Sequence, residues 1–270
     1  MTLPIDFHGK NVLVFGGTTG INFGIATAFV KQGANITVVS RKEENVRNAI
    51  AALSAHGRAE GVSADVRDFE ACGAAVAKAV KRFGPLDVVV SGAAGNFMCE
   101  ASELSSNGFR AVVDIDLVGT FHALRQSFQA LRRPGASVIN ITAPQSCVPM
   151  RYQVHACAAK AGVDQLTRVL ALEWGREGVR VNAISPGPIE GTEGFDRLIA
   201  STEEQRTRAI QATPLRRMGT VADIADLALF LASPHASYIS GAVIPCDGGG
   251  AFDSVKPALE LAGAMQQEKR

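Results

Sequence analysis

Gly16-Gly17-Thr18-Thr19-Gly20-Ile21 follows the apolar run NVLVF without a break. Glycines between a buried strand and a helix let backbone N–H groups approach a pyrophosphate, and the helix N-terminus adds a favourable dipole. The stretch predicts a dinucleotide-binding turn; a tight turn with a purely structural role is the alternative. Asn22 stands where such turns often carry a third glycine. Asparagine tolerates unusual backbone angles, so it can preserve the turn, with Gly24 sharing the task. The next apolar run ends in Ser40-Arg41-Lys42, a hydroxyl and two cations with no carboxylate. An acid at this place favours NAD, whereas arginine accommodates the 2′-phosphate of NADP. NADP(H) is therefore expected, unless the three residues are only a solvated helix start. A third candidate, Lys160, lies in Val154-His155-Ala156-Cys157-Ala158-Ala159-Lys160.

Other chemistries have little support. Cys72, Cys99, Cys147, Cys157 and Cys246 are an odd, scattered set without a C-x-x-C pair, so neither a disulfide framework nor a metal site is indicated. His8, His56, His122, His155 and His235 are scattered as well, and structural or surface roles are expected for them. With 27 basic and 26 acidic residues the net charge is +1, and no basic stripe interleaves with aromatics; nucleic-acid binding is not expected. No apolar run nears the ~18 residues of a membrane span. The start MTLPIDFHGK lacks a signal-peptide plan and the end QQEKR is not a peroxisomal address, so a soluble cytoplasmic protein is expected.

The elements that must position these residues are legible in the hydrophobic pattern. Asn11–Phe15, Ala34–Val39, Ala59–Ser63, Leu86–Val90, Ala136–Ile141, Val179–Ile184 and Ala242–Pro245 read as strands, several apolar on both faces. Between them Ile21–Lys31, Glu43–Ser54, Phe69–Arg82, Phe109–Arg132, Val154–Trp174 and Val221–Leu231 read as helices. Alternating β and α predicts an α/β fold, a Rossmann-type doubly wound parallel sheet of about seven strands with right-handed crossovers. With 47% hydrophobic residues and no linker or repeat, residues 1–270 read as one domain. Two regions break the rhythm: a charged insertion at 187–217, expected to form a substrate lid, and a polar tail at 251–270.

At this point the chain resembles the short-chain dehydrogenase/reductase family over about residues 8–250. The resemblance rests on GGTTGI, Asp65 in SADVRD, Ser91–Gly95 in SGAAGNF, Asn182 in VRVNAISPGPI and Asp247-Gly248-Gly249. It implies that Asp65 and its neighbour Val66 meet the adenine, and that Gly92, Ala93 and Ala94 line the cofactor. It also implies that Pro186, Gly187, Pro188, Ile189, Gly191 and Thr192 hold the nicotinamide end. The family's usual active site has a serine, a tyrosine, a lysine and an asparagine. Here the corresponding places hold Ala143, Ala156, Lys160 and Asp116, so only the lysine matches. An alkoxide formed by ketone reduction would lack its usual acid. Tyr152 is expected to precede the helix, as a pocket wall or surface residue.

Four segments resemble the 2,4-dienoyl-CoA reductases, most of all the peroxisomal branch, in which an aspartate and the lysine replace the usual set. They are AAGNF at 93–97, DIDLVGTF at 114–121, QVHACAAKAGVD at 153–164 and PGPIEGTEG at 186–194. The missing peroxisomal address suggests a bacterial or otherwise non-peroxisomal member. A dienoyl thioester needs its proton at carbon, and a water held by Asp116 and Lys160 would suit that task. Lys160 is also expected to bond the nicotinamide ribose. The resemblance further implies that Asn96 donates to the thioester oxygen and that Phe97 packs on the acyl chain, where plain core packing is the alternative. Arg41, Arg67, Ser105, Ser106, Asn107, Gln145 and Arg197 are expected around the acyl-CoA, and a homotetramer is expected. Reduction of another conjugated thioester or enone, and a catalytically silent NADP(H)-binding sensor or scaffold, stay open.

Overall fold

The computed structural model describes residues 5–192 and 202–250. Seven strands build one all-parallel sheet: β1 Asn11–Phe15, β2 Asn35–Ser40, β3 Ala59–Ser63, β4 Val88–Ser91, β5 Ser137–Ile141, β6 Arg180–Pro186 and β7 Val243–Cys246. Their order is β3-β2-β1-β4-β5-β6-β7. Every residue of β1, β4 and β5 is buried, as a sheet covered on both faces demands. The chain winds to one side of β1 through β2 and β3, then crosses to β4 on the other side. A crevice opens beyond the strand ends where that direction reverses. The register sets Phe15 beside Val39 on one side and Ser91 on the other, so the loops leaving β1, β2 and β4 emerge together.

Two helical layers enclose the sheet. On one face α1 (Gly20–Lys31), α2 (Glu43–Ser54) and α8 (Val221–Ala232) bury Ile25, Phe29, Leu53, Ile224 and Leu231 against Val12, Val14 and Ile36. On the other, α3 (Phe69–Phe83), α5 (Gly119–Ser127) and α6 (Val154–Gly175) bury Cys72, Val76, Leu124, Leu170 and Trp174 against Leu13, Phe15 and Val89. Gly24 is part of the α1–α8 seam, where a Cβ would fall 1.8 Å from Val221 Cγ1. Its task is close helix packing, with no share in the turn. Asn22 likewise adopts no positive φ; it lies buried inside α1.

Most elements begin and end within two residues of the sequence expectation. The stretch 109–132 differs. It is α4 (Ser106–Val113), a π-helical turn at Asp114–Val118, α5, and a 3₁₀ turn at Phe128–Ala130. The π-turn closes where Gly119 N–H donates to the Asp114 carbonyl, five residues back. Such bulges shift the face that a helix presents and favour functional sites. Glycine is required there: a Cβ at Gly119 would lie 2.6 Å from Val66 Cγ2. The insertion also contains a helix, α7 (Glu203–Ala212), whose Thr202 and Gln205 form a capping box. Its EEQRTRAIQA carries too few apolar residues to show a helical stripe. Arg197 and the tail 251–270 lie outside the described residues.

Candidate active site

The glycine turn sits at the C-terminal end of β1, directly under the turn that follows β4. Gly16 takes φ 77°, and a Cβ on it would be 2.8 Å from Ala93 N, so only glycine lets the two loops approach this closely. Asn22 Nδ2 donates to the Gly92 carbonyl at 2.7 Å and ties the loops together. The residue in the third-glycine place thus works through its side chain, and its Oδ1 is buried without a protein partner. Gly20 faces the loop after β6, with a Cβ position 4.0 Å from Thr192 Cγ2.

A cleft of about 530 Å³ runs along this crevice. Gly16, Thr18 and Thr19 line it from the glycine turn, Ser40, Arg41 and Lys42 from the end of β2, Asp65 and Val66 after β3, and Gly92, Ala93, Ala94 and Asn96 after β4. Gly17 and Ile21 belong to the same turn without lining the cleft. Asn45, in the first turn of α2, faces it beside Lys42 and was not anticipated; its place one turn beyond the Ser-Arg-Lys run was the available signal. Arg67 donates to both carboxylate oxygens of Asp65, at 2.6 to 3.1 Å. That guanidinium holds the Asp65 carboxyl below its ordinary pKa, burial opposing it, and Arg67 is raised in return. Charge at the β2 end is accordingly left to Arg41 and Lys42. A glycine cradle, an exposed basic pair and no unpaired acid fit a phosphorylated dinucleotide.

Asp116 and Lys160 meet behind Gly95, which lines the cleft. The π-turn drives Asp116 inward, to 2% exposure, while Asp114 stays half-buried with its charge felt by Arg67. Asp116 Oδ2 is 3.3 Å from Lys160 Nζ, and Asp116 Oδ1 accepts from Gly95 N–H at 2.7 Å. Lys160 Nζ also donates to the Ile141 carbonyl at 3.1 Å. The carboxylate and ammonium are in direct contact. A buried pair of this kind adds little net stability, because desolvation offsets the Coulomb attraction. Its position beside a cleft makes it a functional candidate. Ala156 is buried one turn before Lys160, and Tyr152, 45% exposed, precedes α6 with φ 66°. The Tyr152 carbonyl accepts from Cys99 N–H at 2.9 Å, which staples the β4 and β5 loops.

Around the pair, Asn96 Nδ2 donates to Gln153 Oε1 at 2.7 Å and Gln145 Nε2 donates to the same oxygen at 3.0 Å. Gln153 is a further site residue that the sequence leaves without a role; it caps no helix through its side chain, and its place at the head of QVHACAAKAGVD is the only signal. Phe97 is 37% exposed, and its ring meets His155 edge-on with centroids 4.4 Å apart. His155 itself is fully buried, and neither ring nitrogen has a partner with hydrogen-bond geometry. Ser105, Ser106 and Asn107 are exposed at the start of α4, where the Ser105 hydroxyl accepts from Gly108 N–H as the helix cap. Pro186 is buried at the end of β6, and Gly187 abuts Asp247. Pro188 and Ile189 line a separate cavity with Pro214 and Leu215, while Gly191 is exposed. Among the described residues no His/Cys/Asp/Glu group suits a metal, and no helix is long and apolar enough to cross a membrane.

The family model described as Enoyl-(Acyl carrier protein) reductase matches residues 16–250. A short chain dehydrogenase from Bacillus anthracis superimposes with a TM-score of 0.84 at 36% identity, covering 91% of this chain and 98% of the other. The chain belongs to the short-chain dehydrogenase/reductase family. Among curated members of the short-chain dehydrogenase/reductases, the peroxisomal 2,4-dienoyl-CoA reductase [(3E)-enoyl-CoA-producing] of Rattus norvegicus is 44% identical over 249 residues, 91% of this chain and 85% of its own. The probable 2,4-dienoyl-CoA reductase [(2E)-enoyl-CoA-producing] of Bacillus subtilis (strain 168) is 39% identical over 245 residues, 89% and 96% of the two chains. As a short-chain dehydrogenase/reductase, the protein keeps the family's lysine and lacks its serine and tyrosine.

Proposed function

We propose that the protein is an NADPH-dependent 2,4-dienoyl-CoA reductase that serves the degradation of unsaturated fatty acids, with acyl-CoA as substrate. The observation that carries this reading is the buried Asp116–Lys160 pair in a site with alanine at both the serine and tyrosine places. Curated relatives with 2,4-dienoyl-CoA reductase names support it.

Gly16, Thr18 and Thr19 would hold the pyrophosphate, Ser40, Arg41, Lys42 and Asn45 the 2′-phosphate, and Asp65 with Val66 the adenine. Pro186 to Thr192 and Lys160 would hold the nicotinamide ribose. When bound, the cofactor supplies the hydride that the far end of the diene accepts. The chain's own residues then manage charge and proton. Negative charge runs through the conjugated system to the thioester oxygen, where Asn96 donates its amide and the Lys160 ammonium adds a favourable field. Lys160 has three protons; Asp116 and the Ile141 carbonyl engage two, which leaves a third to lie between the nicotinamide ribose and a water near the reacting carbon. Asp116 retains lone pairs to orient that water, and Gly95 N–H fixes its rotamer. The water gives its proton to the carbon next to the thioester and takes one from the Lys160 ammonium in return, so no phenol is needed at Ala156. Phe97, Gln145, Arg67, Arg197 and the Ser105–Asn107 turn are proposed contacts of the acyl-CoA, and a homotetramer is the proposed assembly.

Mixing the purified protein with a 2,4-dienoyl-CoA and either NADPH or NADH tests the reading by loss of reduced-cofactor absorbance. Turnover with a preference for NADPH is expected. Tight NADPH binding without turnover favours a silent sensor; reduction of simple ketones alone contradicts the assignment of the pair.

A further inference from the structure

Gln153 begins where a helix cap would stand, yet its side chain does not cap α6. The residue is 7% exposed, so its amide needs other partners to offset burial. It finds them in the loops that follow β4 and β5. Gln153 Oε1 accepts from both Asn96 Nδ2, at 2.7 Å, and Gln145 Nε2, at 3.0 Å. Asn96 Oδ1 in turn accepts from Phe97 N–H at 2.8 Å. A primary amide has a donor edge and an acceptor edge of nearly equal shape, and only its surroundings decide which edge faces where. Here the decision is unambiguous. Rotating Asn96 by half a turn would set its oxygen against Gln153 Oε1 and its NH₂ group against Phe97 N–H.

We propose that Gln153 is a positioning residue: its single carbonyl oxygen turns the donor edges of Asn96 and Gln145 into the cleft, so that Asn96 meets the thioester oxygen as negative charge develops on it. The proposal rests on the dienoyl-CoA reading above. Asn96 is two residues from Ala94 on the cleft wall, and its neighbour Gly95 carries the N–H bound to Asp116. The loop that aims the oxyanion donor therefore also anchors the proton-handling carboxylate. Gln153 holds that loop from the opposite side, through α6, the helix that carries Lys160. A donor misaligned by a flipped amide loses its effect in the transition state while leaving ground-state binding nearly intact.

The test is a double-mutant cycle with a 2,4-dienoyl-CoA and saturating NADPH. The variants are Gln153→Leu, Gln153→Glu, Asn96→Ala and Asn96→Ala combined with Gln153→Leu. Calorimetric affinity for a saturated acyl-CoA and the thermal midpoint are read for each. Gln153→Leu is expected to lower kcat by ~10- to 100-fold and to change KM and acyl-CoA affinity by less than ~3-fold. Added to Asn96→Ala, it should cost no more than ~2-fold further, because Gln153 acts through Asn96. Gln153→Glu keeps an acceptor at the same reach and should return kcat to within ~5-fold of the parent. If Gln153→Leu does not fold, Gln153→Met, of similar length without a carbonyl, takes its place in the cycle. An active parent with losses that multiply across the cycle, or with kcat unchanged in Gln153→Leu, overturns the role of Gln153 alone. A parent that binds NADPH but does not turn over the dienoyl-CoA overturns the substrate reading and this proposal with it.

Discussion

At the scale of single residues, the decisive contrast lies between two aspartates two positions apart. Asp116 is buried against Lys160, and Asp114 is half-buried near Arg67. Asp116→Asn should cut kcat with a dienoyl-CoA by ~100-fold or more, and Asp114→Asn by no more than ~2-fold. Asp116→Asn should also lower stability by ~3 kcal/mol, since it strands a buried ammonium. Equal losses in the two variants would remove the basis of the assignment. His155 gives a second prediction. Burial pushes its imidazole below the ordinary 6.5, with Asp116 and the backbone at Gln153 and Phe97 pulling the other way. Below about pH 6.5 the unfolded chain takes up a proton that the folded ring resists, so stability falls as pH drops through that value. The loss is complete only below the folded value. Thermal midpoints between pH 7 and pH 5 should therefore drop less in His155→Phe than in the parent.

At the scale of elements, the π-turn is the feature on which the site depends. Gly119→Ala should destabilise the fold by ~1–3 kcal/mol, because the new methyl meets Val66 Cγ2 and nearby backbone. It should also reduce activity by displacing Asp116; wild-type stability and activity would show that the turn can relax freely. The strands and the glycine turn were legible because burial on both faces and a run of glycines leave few alternatives. The π-turn was not, since DIDLVG has no residue that forbids continuous α-helix, and the extra residue per turn is chosen by packing against Val66. α7 was hidden for a different reason: its stability comes from a capping box and an ion pair between Arg206 and Glu190, with little apolar burial. The sequence suggests Asn22 as a backbone substitute for glycine. Its contribution is a side-chain bond to Gly92, 70 residues away, which local spacing cannot reveal.

At the scale of the whole molecule, the sheet brings the loops at 16–20, 92–96 and 142–145 and the start of α6 to one end, where the π-turn adds Asp116. Asp116 and Lys160 could be named from a resemblance to the dienoyl-CoA reductases, but their direct contact and the Gln153 network required three dimensions. The outer face offers its own prediction. Phe121 on α5 and Val169 and Leu172 on α6 leave large apolar side chains exposed, Leu172 at 82%. Apolar side chains left this exposed on two helices favour burial between subunits. Analytical ultracentrifugation should give a mass of four chains, and Leu172→Glu should shift it toward smaller species; a monomeric parent would contradict this. Delivery of a proton by the Asp116–Lys160 pair to the carbon next to the thioester is checked by running the reduction in deuterium oxide and locating the label by NMR. One solvent deuterium on the carbon adjacent to the thioester, in a 3-enoyl-CoA product, is the predicted result. Deuterium two carbons further along, in a 2-enoyl-CoA, would contradict it.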